Sequence, residues 1–234
     1  MRFQLILFIS LFISSAYGQF YSIEAIAIRA SHYNLSFDHP DLYYEIQIAE
    51  MNKNTSLSLF YDENVQSYIN LFLTERIEDL ILFKKRSELI FPMLEELLAE
   101  QNIPEEIKFM AVLESGLSPS AVSPSQAVGL WQFKEITAKS FGLKIDGNQD
   151  DRNDPSLSTI AACKYLNYLN AEFQDWNLSL LAYNAGPTYL RQQIRRTKTK
   201  EYYMLVPHLT DSARNFLPAL VAIIYLFNNF ENHF

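Results

Sequence analysis

From Glu63 onward, apolar residues recur at every third or fourth position, a spacing that builds helices and not strands. Val65, Tyr68, Ile69, Phe72 and Leu73 mark one such face; Leu89, Ile90, Met93, Leu94, Leu97 and Leu98 mark another. Pro104 opens a further helix through Glu114, with Glu105 and Glu106 in the first turn, where the helix dipole favours negative charge. Gly116 reads as its terminator. Asp154-Pro155 reads as a cap and first helical position, starting a helix that reaches about Tyr168. Asn177 to Ala185 predicts another helix, stopped by Gly186-Pro187, and Phe216 to Phe227 a buried closing helix. The serines and prolines between Leu117 and Ala127 predict a loop.

The front of the chain follows different rules. Residues 1–18 carry one charge at Arg2, an apolar run from Leu5 to Ile13, and small residues up to Gly18, the pattern of a secretory signal peptide. The run is short for a membrane span, though an uncleaved anchor is the alternative. Residues 19–62 mix aromatic, polar and charged residues without a sustained period and read as a poorly specified N-terminal extension, expected to be helical. The expectation is a mainly α chain with one helical domain over 63–234, its core at about 88–230. The lone cysteine, Cys163, lies among Ile160, Ala161, Ala162 and Leu166 and forms no intramolecular disulfide; none follows the signal segment to carry a lipid. A net charge of -8 argues against a nucleic-acid partner. The four histidines, His32, His39, His208 and His233, lack ligand spacing, so neither a metal nor a cofactor is expected.

Chemistry concentrates in three places. Glu114 ends the apolar run Phe109-Met110-Ala111-Val112-Leu113, where poor hydration and the negative end of the helix dipole both raise a carboxyl pKa. Such a group can hold a proton near neutral pH and donate it. Gln132 sits between aromatics in Gly129-Leu130-Trp131-Gln132-Phe133, and Tyr183-Asn184 interrupts the apolar segment Leu178 to Ala182. Amide, phenol and aromatic faces together suit a polyhydroxylated ligand. Each place also has a plain structural reading: a surface glutamate at a helix end, a core tryptophan, and a buried hydrogen-bonded pair.

In this order, the three segments resemble the soluble lytic transglycosylase family, and most closely its membrane-bound murein transglycosylase D-type branch. The resemblance spans roughly Val65 to Leu226 and includes Gln101-Asn102-Ile103-Pro104-Glu105-Glu106, Ala121-Val122-Ser123, Asp151-Arg152-Asn153-Asp154-Pro155 and Ala182-Tyr183-Asn184-Ala185-Gly186-Pro187. It implies a lysozyme-like helical domain with a substrate cleft, and peptidoglycan glycan strands as the partner in a periplasmic or other envelope location. Glu114 then corresponds to the catalytic acid, Ser115 to a hydroxyl contacting that acid or the substrate, Gln132 to the substrate-binding amide, and Tyr183 and Asn184 to the pair beside the acid.

The implied reaction cleaves the bond between N-acetylmuramic acid and N-acetylglucosamine without water. One glutamate serves as acid and then base, and the product is a 1,6-anhydro sugar. The sequence agrees with a single carboxylate in one respect: Gly116 to Lys134 and Asn177 to Lys200 contain no Asp or Glu. Asp150, Asp151 and Asp154 could fold back; Asp154 reads better as a cap, and Asp151 as the ion-pair partner of Arg152. The chain departs from the family at Phe216, where relatives carry a tyrosine whose hydroxyl helps to position the acid. Two alternatives stay open: a lysozyme-like hydrolase, and a non-catalytic wall-binding or scaffold protein.

Overall fold

The computed structural model describes residues 40–234, so the expected signal peptide lies outside the described residues. Ten α-helices follow: α1 (Pro40–Met51), α2 (Glu63–Leu73), α3 (Ile77–Glu100), α4 (Lys108–Ser115), α5 (Glu135–Ser140), α6 (Pro155–Phe173), α7 (Trp176–Ala185), α8 (Pro187–Thr197), α9 (Tyr202–Leu205) and α10 (Asp211–Asn228). Among the described residues, extended backbone pairs only as isolated bridges, at Val122 with Val128, Val128 with Phe133, and Ile145 with Asp150. No helix among them is long and apolar enough to cross a membrane.

The closing helix α10 is the axis. Every residue from Phe216 to Phe227 is buried, and α10 packs against α2, α4 and α7. Pro218 sits inside it and cannot donate to the carbonyl of Arg214, four residues back. The Tyr202 phenol fills that vacancy, donating to the Arg214 carbonyl at 3.3 Å.

Caps fix where helices begin. The Asp62 side chain accepts from the N–H groups of Asn64 and Val65, Asp154 from Leu157, and Asp175 from Leu178. The Asp154 cap matches the sequence reading, but α6 runs on to Phe173, five residues beyond the expected end at Tyr168. Pro104 is not itself helical; a 3-10 turn, Glu105–Ile107, precedes α4. Gly186-Pro187 ends α7 as expected but also starts α8 at once, with Pro187 at the first position. The sequence reading made no helix of 187–197.

On α3 the buried stripe is Leu80, Phe83, Ser87, Leu94 and Leu98, while Leu89, expected on the apolar face, is 81% exposed. Residues 40–62, expected as an unspecified extension, share the core of the rest: Tyr44, Ile48, Leu57, Leu59 and Phe60 are buried. Tyr44 meets Tyr225 edge-on at 5.2 Å, which ties α1 to α10. Asn52 closes the turn after α1 by donating to the Leu59 carbonyl at 2.6 Å and accepting from its N–H at 2.8 Å.

Candidate active site

Glu114 lies in the last turn of α4, whose residues Lys108 to Val112 are buried and leave that helix little freedom to shift. Gly116 caps it with φ 58°, and a Cβ there would lie 2.5 Å from Phe83 Cε1. The helix end is thereby pinned against α3. Burial pushes the Glu114 pKa up to about 7, and a hydrogen bond from Asn184 acts in the opposite direction. Asn184, on α7, is therefore the described side chain that holds the carboxyl.

The loop at 129–133 faces this helix end. Gly129 (φ 83°) runs so close to the Arg152 carbonyl that a Cβ would fall 1.9 Å from it. Val128 and Phe133 exchange backbone bonds at 3.0 and 3.1 Å, which makes the loop a tight knot. Trp131 is fully buried and donates Nε1–H to Thr159 Oγ1 at 2.9 Å, so it belongs to the core and not to the site. Arg152 donates to the Phe133 and Gln126 carbonyls and pairs with Asp150 at 2.6 Å. Its partner is Asp150, not Asp151 as the sequence suggested. Asp151 instead accepts from the Lys144 N–H at 2.8 Å, because the 3-10 turn at Asp151–Asn153 turns the two carboxylates apart.

Each of the other singled-out residues has a defined place. Tyr183 donates its hydroxyl to the Trp131 carbonyl at 2.8 Å, and its partial burial, with the Glu114 carboxyl nearby, holds its pKa well above the ordinary value. Gln132 has φ 48°, and its Nε2 donates to the Gly129 and Ala121 carbonyls at 2.9 and 3.3 Å, so that amide nitrogen shapes the loop. Ser115 Oγ donates toward the Ala111 and Leu130 carbonyls, both at 3.0 Å, and accepts from the Ser118 N–H. It fastens α4 to the loop; its hydrogen bonds go to backbone and not to Glu114. Phe216 is buried in α10 and lines neither cavity at Glu114.

Two cavities meet at Glu114, of about 510 and 430 Å³, and both are also lined by Ser123 and Gln132. The first is walled by Tyr165, Tyr183, Asn184 and Thr137, with Lys134 among its lining residues. Glu114 is its single acid. The second is walled by α3, through Asp79, Leu82, Phe83 and Arg86, a wall that sequence reasoning missed. A signal was present: Asp79 and Arg86 stand seven residues apart, two helical turns, and so share a face with Leu82 and Phe83. Among the described residues, no group of His, Cys, Asp or Glu is arranged to hold a metal ion.

This arrangement can donate a proton near neutrality, beside aromatic and amide groups that suit a sugar. Comparison with known proteins points the same way. Residues 92–206 match the family model described as Transglycosylase SLT domain. The chain is similar to "Membrane-bound lytic murein transglycosylase D" of Escherichia coli (strain K12), 30% identical over 139 residues that cover 57% of this chain and 30% of that protein. It is also similar to "Peptidoglycan transglycosylase gp16" of Escherichia phage T7, 40% identical over 82 residues, 34% of this chain and 6% of the phage protein. The chain thus spans under a third of the length of either relative. Among solved structures, an inactive mutant of the lytic transglycosylase Slt from Pseudomonas aeruginosa superposes with a TM-score of 0.50 at 20% identity, over 61% of this chain and 24% of that one, a likeness of fold.

Proposed function

Because this chain belongs to the soluble lytic transglycosylase family, with the SLT domain over residues 92–206, we propose that it cleaves the glycan strands of peptidoglycan in the cell envelope. The observation that carries this reading is the Glu114 carboxyl, its pKa raised to about 7 by burial, at the junction of two cavities and hydrogen-bonded by Asn184.

Cleavage starts when protonated Glu114 gives its proton to the oxygen that leaves C1 of N-acetylmuramic acid. That C1–O bond breaks as positive charge grows on the ring carbon. The carboxylate then takes the proton of the same sugar's 6-hydroxyl as its oxygen closes on C1, leaving a 1,6-anhydro ring. Glu114 ends as it began, and no water is consumed. Neutral in the first step and charged in the second, the group needs a pKa near working pH, which its burial supplies. Asn184 favours the charged form and so stabilises the carboxylate when it appears. The substrate's own N-acetyl group shields the cation.

A single acid in the first cavity supports this scheme. Asp79, in the second, is engaged by Arg76 Nε at 2.7 Å and is 44% exposed, a poor position for a nucleophile or base. It is nonetheless the one observation that favours the second reading, hydrolysis, with a second carboxylate activating water. Digestion of purified wall by the protein and by Glu114→Gln tests the proposal. The unaltered protein should release anhydro fragments and the variant almost none, while keeping its affinity for wall; a protein that binds wall and releases nothing would be a binding module.

A further inference from the structure

The two cavities differ in kind. Polar and aromatic groups, Ser125, Thr137, Asn184, Tyr165 and Tyr183, line the first, as a sugar requires. The second has more apolar side chains in its wall, Phe72, Leu82, Phe83, Val112, Leu113 and Val122, alongside polar ones. Its charged groups besides Glu114 are Arg76, Asp79 and Arg86. Arg76 and Asp79 cancel one another.

Among the described residues Arg86 has no carboxylate partner. Its Nη1 donates at 2.7 Å to the carbonyl of Gly116, two residues after Glu114, which fixes the guanidinium within the second cavity. Among the described residues its remaining N–H groups have no partner, in a chain of net charge -8 where acids outnumber bases. An anchored, half-buried, unneutralised guanidinium beside apolar side chains fits an anion that is itself partly apolar. In a stem-bearing strand the glycan itself offers no such group, because each muramoyl lactyl carboxyl is tied up in the amide that holds the peptide. The short peptides that peptidoglycan carries on its muramoyl sugars do, with free carboxylates among alanine methyl groups.

We propose that the second cavity receives the carboxylate-bearing stem peptide of the strand whose glycan occupies the first, with Arg86 as its anchor. Arg86 is thus a specificity residue for the cleavage proposed above, on which this inference rests. The continuity of the two cavities through Glu114, Ser123 and Gln132 lets one strand occupy both.

The test compares stem-bearing strands with the same strands after an amidase has removed the peptides and the lactyl carboxyls so exposed have been converted to neutral amides, using the full chain and reading kcat/KM for each. The unaltered protein should prefer the stem-bearing strand by about tenfold or more, the scale of one charge-assisted hydrogen bond. Arg86→Gln should erase most of that preference, chiefly through KM. Leu82→Glu, which leaves the Gly116 contact intact and sets a carboxylate at a 41% exposed position in the same cavity, should erase it too. Equal losses on both strands from Arg86→Gln, with the preference intact in Leu82→Glu, would make Arg86 a prop for Gly116 and overturn the proposal. So would a preference that falls with Lys134→Gln and not with Arg86→Gln, which would put the peptide in the first cavity. If the unaltered protein cuts neither strand, it is the cleavage reading that fails, and this inference falls with it.

Discussion

Tyr183 donates its phenolic hydrogen to the main-chain carbonyl of Trp131 at 2.8 Å, and this bond, with an edge-on contact between the Tyr183 and Phe133 rings at 6.1 Å, joins α7 to the 129–133 loop. The residue beside each partner reaches the site: Asn184 bonds Glu114, and Gln132 lines both cavities. Tyr183 therefore sets the spacing between the two sides of the proposed cleft. Tyr183→Phe should leave that carbonyl buried and unpaired at a cost of about 1–3 kcal/mol, read as a lower midpoint in urea unfolding. Activity should fall further than stability explains.

Replacing Glu114 with Gln should have opposite effects on activity and stability. Wall cleavage should drop by orders of magnitude. Burial raises the folded-state pKa from 4.5 to about 7, so between those values the folded protein holds a proton that the unfolded chain has lost. Stability therefore falls as pH rises through that window and is level above it. The Gln variant escapes this loss. It should melt above the unaltered protein at pH 8 and approach it at pH 5, with thermal unfolding at both pH values as the check.

Because the acid form of Glu114 starts the reaction, kcat/KM should decline above about pH 7, roughly tenfold per unit. Asn184 lowers that pKa by bonding the carboxylate. Asn184→Ala should accordingly move the falling limb of the pH profile to higher pH while reducing the maximum rate. A limb that stays in place would mean that this amide does not govern the ionisation.

Gly129→Ala tests the loop. The new Cβ would lie 1.9 Å from the backbone oxygen of Arg152, at a φ of 83° that side chains rarely adopt. Backbone cannot yield as a side chain can, so a loss of several kcal/mol, in the range of severe single mutants at about 4–5 kcal/mol, is expected in chemical denaturation. Activity should vanish with it.

How far the sequence reaches depends on how local the determining physics is. Glu114, its terminator Gly116 and the Asp154 cap follow from a few adjacent residues, and the structure has α4 ending at Ser115 and Asp154 bonding Leu157 as that local chemistry requires. Trp131 kept two readings, because only the distant Thr159 hydroxyl 2.9 Å from its indole decides for the core. Ser115 looked free to serve Glu114; the Leu130 carbonyl, fifteen residues on, claims it. Arg86 drew no notice for the same reason: nothing near it in sequence says that it closes on Gly116 and faces the cavity. The place of helix α1 escaped because it rests on a partner at the other end of the chain, Tyr225 of α10, which meets Tyr44 edge-on.

The most direct test is the mass of the fragments released from purified peptidoglycan. If Glu114 acts alone and the 6-hydroxyl closes the ring, each muramoyl end will be one water lighter than a reducing sugar, and Glu114→Gln will release almost none. Fragments ending in ordinary reducing muramoyl sugars would contradict this, and would bring Asp79 back as the missing second acid.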